Sequence, residues 1–134
     1  TILLARSCKA NNASECDDLA KILSEGKYGV TKDFKLAAKI EDIACKLEPY
    51  TYCADAGRIH KLAGDLGKAA KAWNKSCSLK KSDLEACGLL GLAYQNGEGV
   101  PKDDAKGKSL LEKACNKGKD DEASCKVLGV KMAE

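Results

Sequence analysis

Eight cysteines, a single histidine and two serine–lysine pairs are the residues of this 134-residue chain whose types and spacing could do chemistry. The cysteines fall in pairs. Cys8 and Cys16 stand eight positions apart, as do Cys45 and Cys53; Cys77 and Cys87 stand ten apart, as do Cys115 and Cys125. Zinc sites draw their thiolates from C-x2-4-C pairs, and this chain has none. Thiol redox catalysis uses C-x-x-C, also absent. The cysteines therefore read as structural, with no metal and no cofactor expected. Ser24–Lys27 and Ser78–Lys81 match the S-x-x-K pair of serine β-lactamases, but the accompanying S-D-N and K-T-G motifs are missing. His60 has no second histidine and no metal-spaced carboxylate set to work with. No catalytic residue is assigned.

The elements that hold these residues follow from the cysteines themselves. The first members of successive pairs follow one another by 37, 32 and 38 positions, a period that belongs to stacked helical hairpins. Twelve positions before three of them stand Asp33, Asp65 and Asp103. A recurring Asp at that offset is a helix N-cap, its carboxylate accepting from orphan amides of the first turn. Eight positions before stand Ala37, Ala69 and Gly107, small residues suited to a close helix crossing. Each stretch from cap to cysteine is a helix of about twelve residues, here termed a B helix.

Counting forward from the second cysteine of each pair defines an A helix. Three positions on stand Leu19, Ala56, Leu90 and Leu128; four on, Ala20, Gly57, Gly91 and Gly129; seven on, Leu23, His60, Tyr94 and Met132. These positions share one helical face, with a small residue at the crossing point. His60 thus occupies a core-facing position and reads as a packed imidazole. The A-to-B loops carry Gly26-Lys27-Tyr28-Gly29 and Gly97-Glu98-Gly99, whereas the middle unit has only Gly64 before its capping Asp65. The glycines suit turns and helix ends rather than a phosphate loop, which would follow a strand and end in Lys-Ser/Thr.

Each cysteine pair joins the end of a B helix to the start of the next A helix, so the sulfurs meet across an antiparallel hairpin. The expected disulfides are Cys8–Cys16, Cys45–Cys53, Cys77–Cys87 and Cys115–Cys125. The chain reads as one all-α array over 1–134: the end of a B helix and a hairpin loop at 1–14, repeats at 15–47, 52–79 and 84–117, and a final A helix at 121–134. The apolar run from Ile2 to Ala5 resembles the last turns of a helix begun upstream. It leads us to expect a mature or trimmed piece with a signal sequence or further repeats removed.

Composition fits this reading. The chain is 44% hydrophobic and 32% charged, which excludes a disordered segment. Six aromatic residues are few for one compact core but enough for local packing between neighbouring repeats. No apolar stretch is long enough for a membrane span. A net charge of +3, with lysines spread along the chain, does not point to nucleic acid. Disulfides in this number belong to an oxidising compartment, periplasmic or secreted.

The run Leu90-Gly91-x-Ala93-Tyr94-x-Asn96-Gly97-x-Gly99-Val100-x-Lys102-Asp103, followed by Glu112-Lys113-Ala114-Cys115, resembles a Sel1-like repeat. With its paired cysteines the chain resembles the Helicobacter cysteine-rich proteins. The resemblance implies an α/α superhelical solenoid of TPR-like hairpins, each held by a disulfide, that binds other proteins in a secreted or periplasmic setting. It also implies an alternative, weak penicillin binding or β-lactam hydrolysis, as described for some members.

Two and five positions after the second cysteine, the A helices should face away from the core. Asp18, Lys21, Asp55 and Arg58 hold these positions in the first two units, and Leu89, Leu92, Val127 and Val130 in the last two. One row therefore changes from charged to apolar. A helices of such arrays line the concave surface, so Leu89, Leu92, Val127 and Val130 are the expected contacts for a protein or peptide partner, with an effector or toxin as one partner class. Oligomeric state is left open.

Overall fold

A computed structural model describes Cys8, residues 12–79 and residues 84–115. Within these the chain forms α1 (Ala13–Glu25), α2 (Phe34–Leu47), α3 (Pro49–Leu62), α4 (Leu66–Cys77), α5 (Leu84–Asn96) and α6 (Asp104–Cys115), with a 3-10 turn at Lys27–Gly29. There is no strand among the described residues. The odd-numbered helices are A helices and the even-numbered ones B helices. Packing runs chiefly between consecutive helices, as expected of a stacked array. Cys125, Val127, Val130 and the expected final A helix lie outside the described residues, as does all of the upstream B-helix end except Cys8.

The B helices start where the aspartates stand. Asp33 accepts from the Leu36 amide, Asp65 from Lys68 and Asp103 from Lys106, each at 3.0 Å. The same three residues tie each hairpin together from the other side. Their own amides donate to the carbonyls of Leu23 (3.0 Å), His60 (2.9 Å) and Tyr94 (2.9 Å), equivalent positions near the ends of the three A helices. One residue thus caps the B helix and satisfies an orphan carbonyl of the A helix.

Two A helices begin earlier than the cysteine-anchored boundaries. α1 starts at Ala13 because Asn12 caps it, accepting from the Glu15 amide at 3.2 Å. α3 starts at Pro49, a residue suited to the first helical position, so Glu48 alone separates it from α2.

Small residues lie where the helices cross. Ala20, Ala37 and Ala69 are fully buried. A Cβ on Gly91 would come within 2.9 Å of the Gly107 carbonyl oxygen, and one on Gly107 within 2.7 Å of the Gly91 carbonyl oxygen, so α5 and α6 meet backbone to backbone. Three disulfides close hairpins: Cys8–Cys16, Cys45–Cys53 and Cys77–Cys87, with Cα–Cα separations of 4.6, 4.4 and 4.8 Å. Cys115 is also disulfide-bonded.

Candidate functional site

The A-helix row begins charged. Asp18 and Lys21 are exposed on α1, and Lys21 Nζ lies 2.9 Å from Asp17 Oδ2. On α3, Arg58 pairs with Asp55 at 3.2 Å and also with Glu85 on α5, linking successive A helices. One helix further along, the row turns apolar at Leu89 and Leu92. Both are half-buried rather than turned fully outward. Leu89 packs against the cluster that contains Ala54, Trp73 and Leu90. Both leucines border a small crevice of about 30 Å³ shared with Leu66 and Trp73 of α4. The sequence reading expects these positions to face away from the core; α4 instead leaves each leucine only partly accessible, at a crevice edge.

His60 is buried, and its Nε2 lies 2.8 and 2.9 Å from the two carboxylate oxygens of Asp42 on α2. The imidazole therefore joins the second A helix to the B helix before it. In the first serine–lysine pair both side chains have local partners. Ser24 donates to the Lys21 carbonyl at 3.1 Å, and Lys27 Nζ is engaged by Glu25 at 2.9 Å. Ser78 is an exposed cap on α4. Lys81 lies outside the described residues. Among the described residues no group of three or more His, Cys, Asp or Glu side chains could hold a metal ion.

Two features escape the sequence reading. Glu41 is fully buried four residues before Cys45, the register that Trp73 and Leu111 occupy before Cys77 and Cys115. Neither Glu41 carboxyl oxygen, nor Asp17 Oδ1, meets a hydrogen-bond donor. Burial pushes Glu41 up to about 9, and the neighbouring carboxylates of Asp17 and Asp55 push the same way, against Lys21. A proton on Glu41 turns two facing acceptors into a donor and an acceptor. The second feature is a set of exposed apolar side chains on α2, Leu36, Ile43 and Leu47, followed by Tyr50 on α3. Comparing the repeats with one another at the position four before the cysteine would have revealed the first. The spacing of seven and four along α2 would have revealed the second.

The Sel1 repeat model matches residues 16–40 and 84–119. These two stretches are similar to Sel1 repeats. The solved structures it resembles agree on the fold: a Sel1 repeat protein from Oxalobacter formigenes (TM-score 0.71, 22% identity, 94% of this chain and 51% of that one) and a protective antigen of uropathogenic Escherichia coli (0.73, 24%, 97% and 29%). Helicobacter pylori cysteine rich protein B is similar over 93% of this chain and 89% of its own, with TM-score 0.60 and 26% identity. Curated relatives include cytochrome c oxidase assembly factor 7 of Xenopus tropicalis, 33% identical over 84 residues, and factor 7A of Xenopus laevis, 32% identical over 84 residues. Each match covers 60% of this chain and 36% of the relative, so the matched part spans about a third of those proteins. The Sel1 model leaves out the middle unit, whose A-to-B loop is the shortest. Sel1 repeats are in general non-enzymatic scaffolds for protein interaction, and the disulfides fit an oxidising, extracytoplasmic location.

Proposed function

We propose that this Sel1-repeat chain is a protein-binding scaffold of the periplasm or another oxidising space outside the cytoplasm. Its partner docks along the A helices at the crevice edged by Leu89 and Leu92. One observation carries the reading: the A-helix row passes from ion pairs at Asp17–Lys21 and Asp55–Arg58–Glu85 to half-exposed leucines, on hairpins held by disulfides. Partly open leucines beside a crevice offer apolar area to bury, whereas the side chains at the charged end are already paired with one another. Stapled hairpins lose little conformational freedom on binding. By sequence, Val127 and Val130 hold the equivalent offsets after Cys125 and are proposed as further contacts; both lie outside the described residues.

Within this reading the partner is a secreted effector or toxin. The curated relatives favour a second reading, in which the partner is a component of cytochrome c oxidase under assembly. The β-lactam alternative draws no support from Ser24, whose hydroxyl donates to the Lys21 carbonyl at 3.1 Å. Affinity capture from native extract separates these possibilities. Wild type should retain a defined protein that Leu92→Glu loses while keeping its helical circular dichroism and a cooperative thermal unfolding transition. An unchanged set of captured proteins would remove the A-helix reading. Nitrocefin turnover above that of denatured protein, abolished by Ser24→Ala or Ser78→Ala, would restore the enzyme.

A further inference from the structure

We propose that the groove between the B helices α2 and α4 is a second docking site, one that takes an extended acidic peptide. Helical spacing builds its walls. On α2, Lys35, Lys39 and Lys46 share a stripe with Asp42; on α4, Lys68, Lys71 and Lys75 form another. The two stripes flank His60, which α3 places between them. Together they line two adjoining cavities of about 600 and 280 Å³ that share Asp42, His60 and Lys68.

The charge is lopsided. Six lysines line this groove against two carboxylates, and both carboxylates are engaged. Asp42 is held by His60, and Asp65 caps α4. Lys68 reaches Asp65 at 3.8 Å, while the other five lysines have no carboxylate partner among the described residues. A chain whose net charge is only +3 thus gathers its basic excess in one place. Like charges at helical spacing repel, and a bound anion relieves that repulsion.

Shape selects the class of anion. From Lys35 to Lys46 the wall spans eleven helical steps, about 16 Å, which is roughly five residues of extended chain. No Phe, Tyr or Trp lines the groove, so it lacks the stacking platform that single-stranded nucleic acid uses. The lysines stand on two helices to either side of His60 rather than in one flat patch, which suits a chain laid between them better than a layer of lipid headgroups. An acidic peptide can lie along the groove with carboxylates toward both lysine stripes. This site is built from different residues and a different chemistry than the leucine crevice, and it stands or falls separately.

Fluorescence anisotropy of the oxidised full chain with a fluorescein-labelled pentapeptide of Asp and Glu provides the test. Binding should weaken with added salt. It should weaken about tenfold in Lys39→Ala/Lys71→Ala, the effect of removing two partly exposed ion pairs. Lys35→Ala/Lys75→Ala should act in the same direction, and Asp42→Asn should tighten binding by removing one of the two carboxylates that line the groove. These lysines are exposed, so melting temperatures should not change. An oligonucleotide of equal charge and vesicles of anionic phospholipid serve as parallel probes. Peptide binding indifferent to both lysine pairs, or lysine-dependent binding of oligonucleotide or vesicles without peptide binding, would overturn the proposal.

Discussion

The first hairpin, α1 and α2, and the second, α3 and α4, share one frame and fill it with opposite chemistry. Both B helices are capped by an aspartate that also ties back to the A helix, and both end next to a disulfide. At the register four residues before the cysteine, the second hairpin places Trp73 and the first places Glu41, both buried. The facing A-helix residue matches the occupant. Gly57 lies under the indole, where a Cβ would come within 2.3 Å of Trp73 Nε1, and the indole N–H donates to the Ala54 carbonyl at 3.2 Å. In the first hairpin Ala20 takes the position of Gly57, and the core holds a carboxyl pair instead of a ring. The comparison teaches that caps and disulfides define the hairpin, while the buried pair at the crossing can change character from one repeat to the next.

Trp73→Ala should break the comparison most severely, costing about 3 to 5 kcal/mol as a large cavity opens in the second hairpin. Gly57→Ala should be destabilising for the complementary reason, since a methyl group cannot share space with the indole. Both effects are read by denaturant unfolding of the oxidised protein. Removing the staple between the two hairpins, with Cys45→Ser/Cys53→Ser, should cost about 2.6 kcal/mol, the chain-entropy value for closing so short a loop. A loss larger than that of Trp73→Ala would mean that the disulfide, and not the crossing, dominates the second hairpin.

Glu41 sharpens the comparison through pH. Its folded value is raised above the ordinary 4.5 to about 9, so between these values the folded state keeps a proton that the unfolded chain has released. Stability linked to this group therefore falls as pH rises through that window. Glu41→Gln should flatten the decline, and it should melt above wild type at mildly alkaline pH. Trp73 confers no such slope on the second hairpin. The smallest effect belongs to the first loop. Tyr28 is exposed and sits at φ 57°, a left-handed conformation that costs a non-glycine residue about 1 kcal/mol. Tyr28→Gly should recover about that much in thermal melts.

Much of the frame was legible because the sequence can be aligned with itself. Asp33, Asp65 and Asp103 announce caps by type and offset, and Gly91 with Gly107 announces a close crossing. The start of α3 at Pro49 was not legible from cysteine spacing, since a capping proline sets it locally. Glu41 was hidden because a glutamate on a helix ordinarily faces water; only its register against Trp73 and Leu111 marks it as buried. The offset of Leu89 and Leu92 from Cys87 is legible in the sequence, but their depth depends on α4, a different element of the stack. The lysines of α2 and α4 are scattered along the chain and become one surface only when α2 and α4 flank the same groove.

The central claim is that a partner sits at the apolar end of the A-helix row. The most direct measurement is site-specific photo-crosslinking in native extract, with a photoreactive residue replacing Leu92 in one protein and Lys21 in another. The account predicts a discrete crosslinked partner from position 92 and none from position 21. Equal crosslinking from both positions, or a partner captured only from position 21, would contradict it.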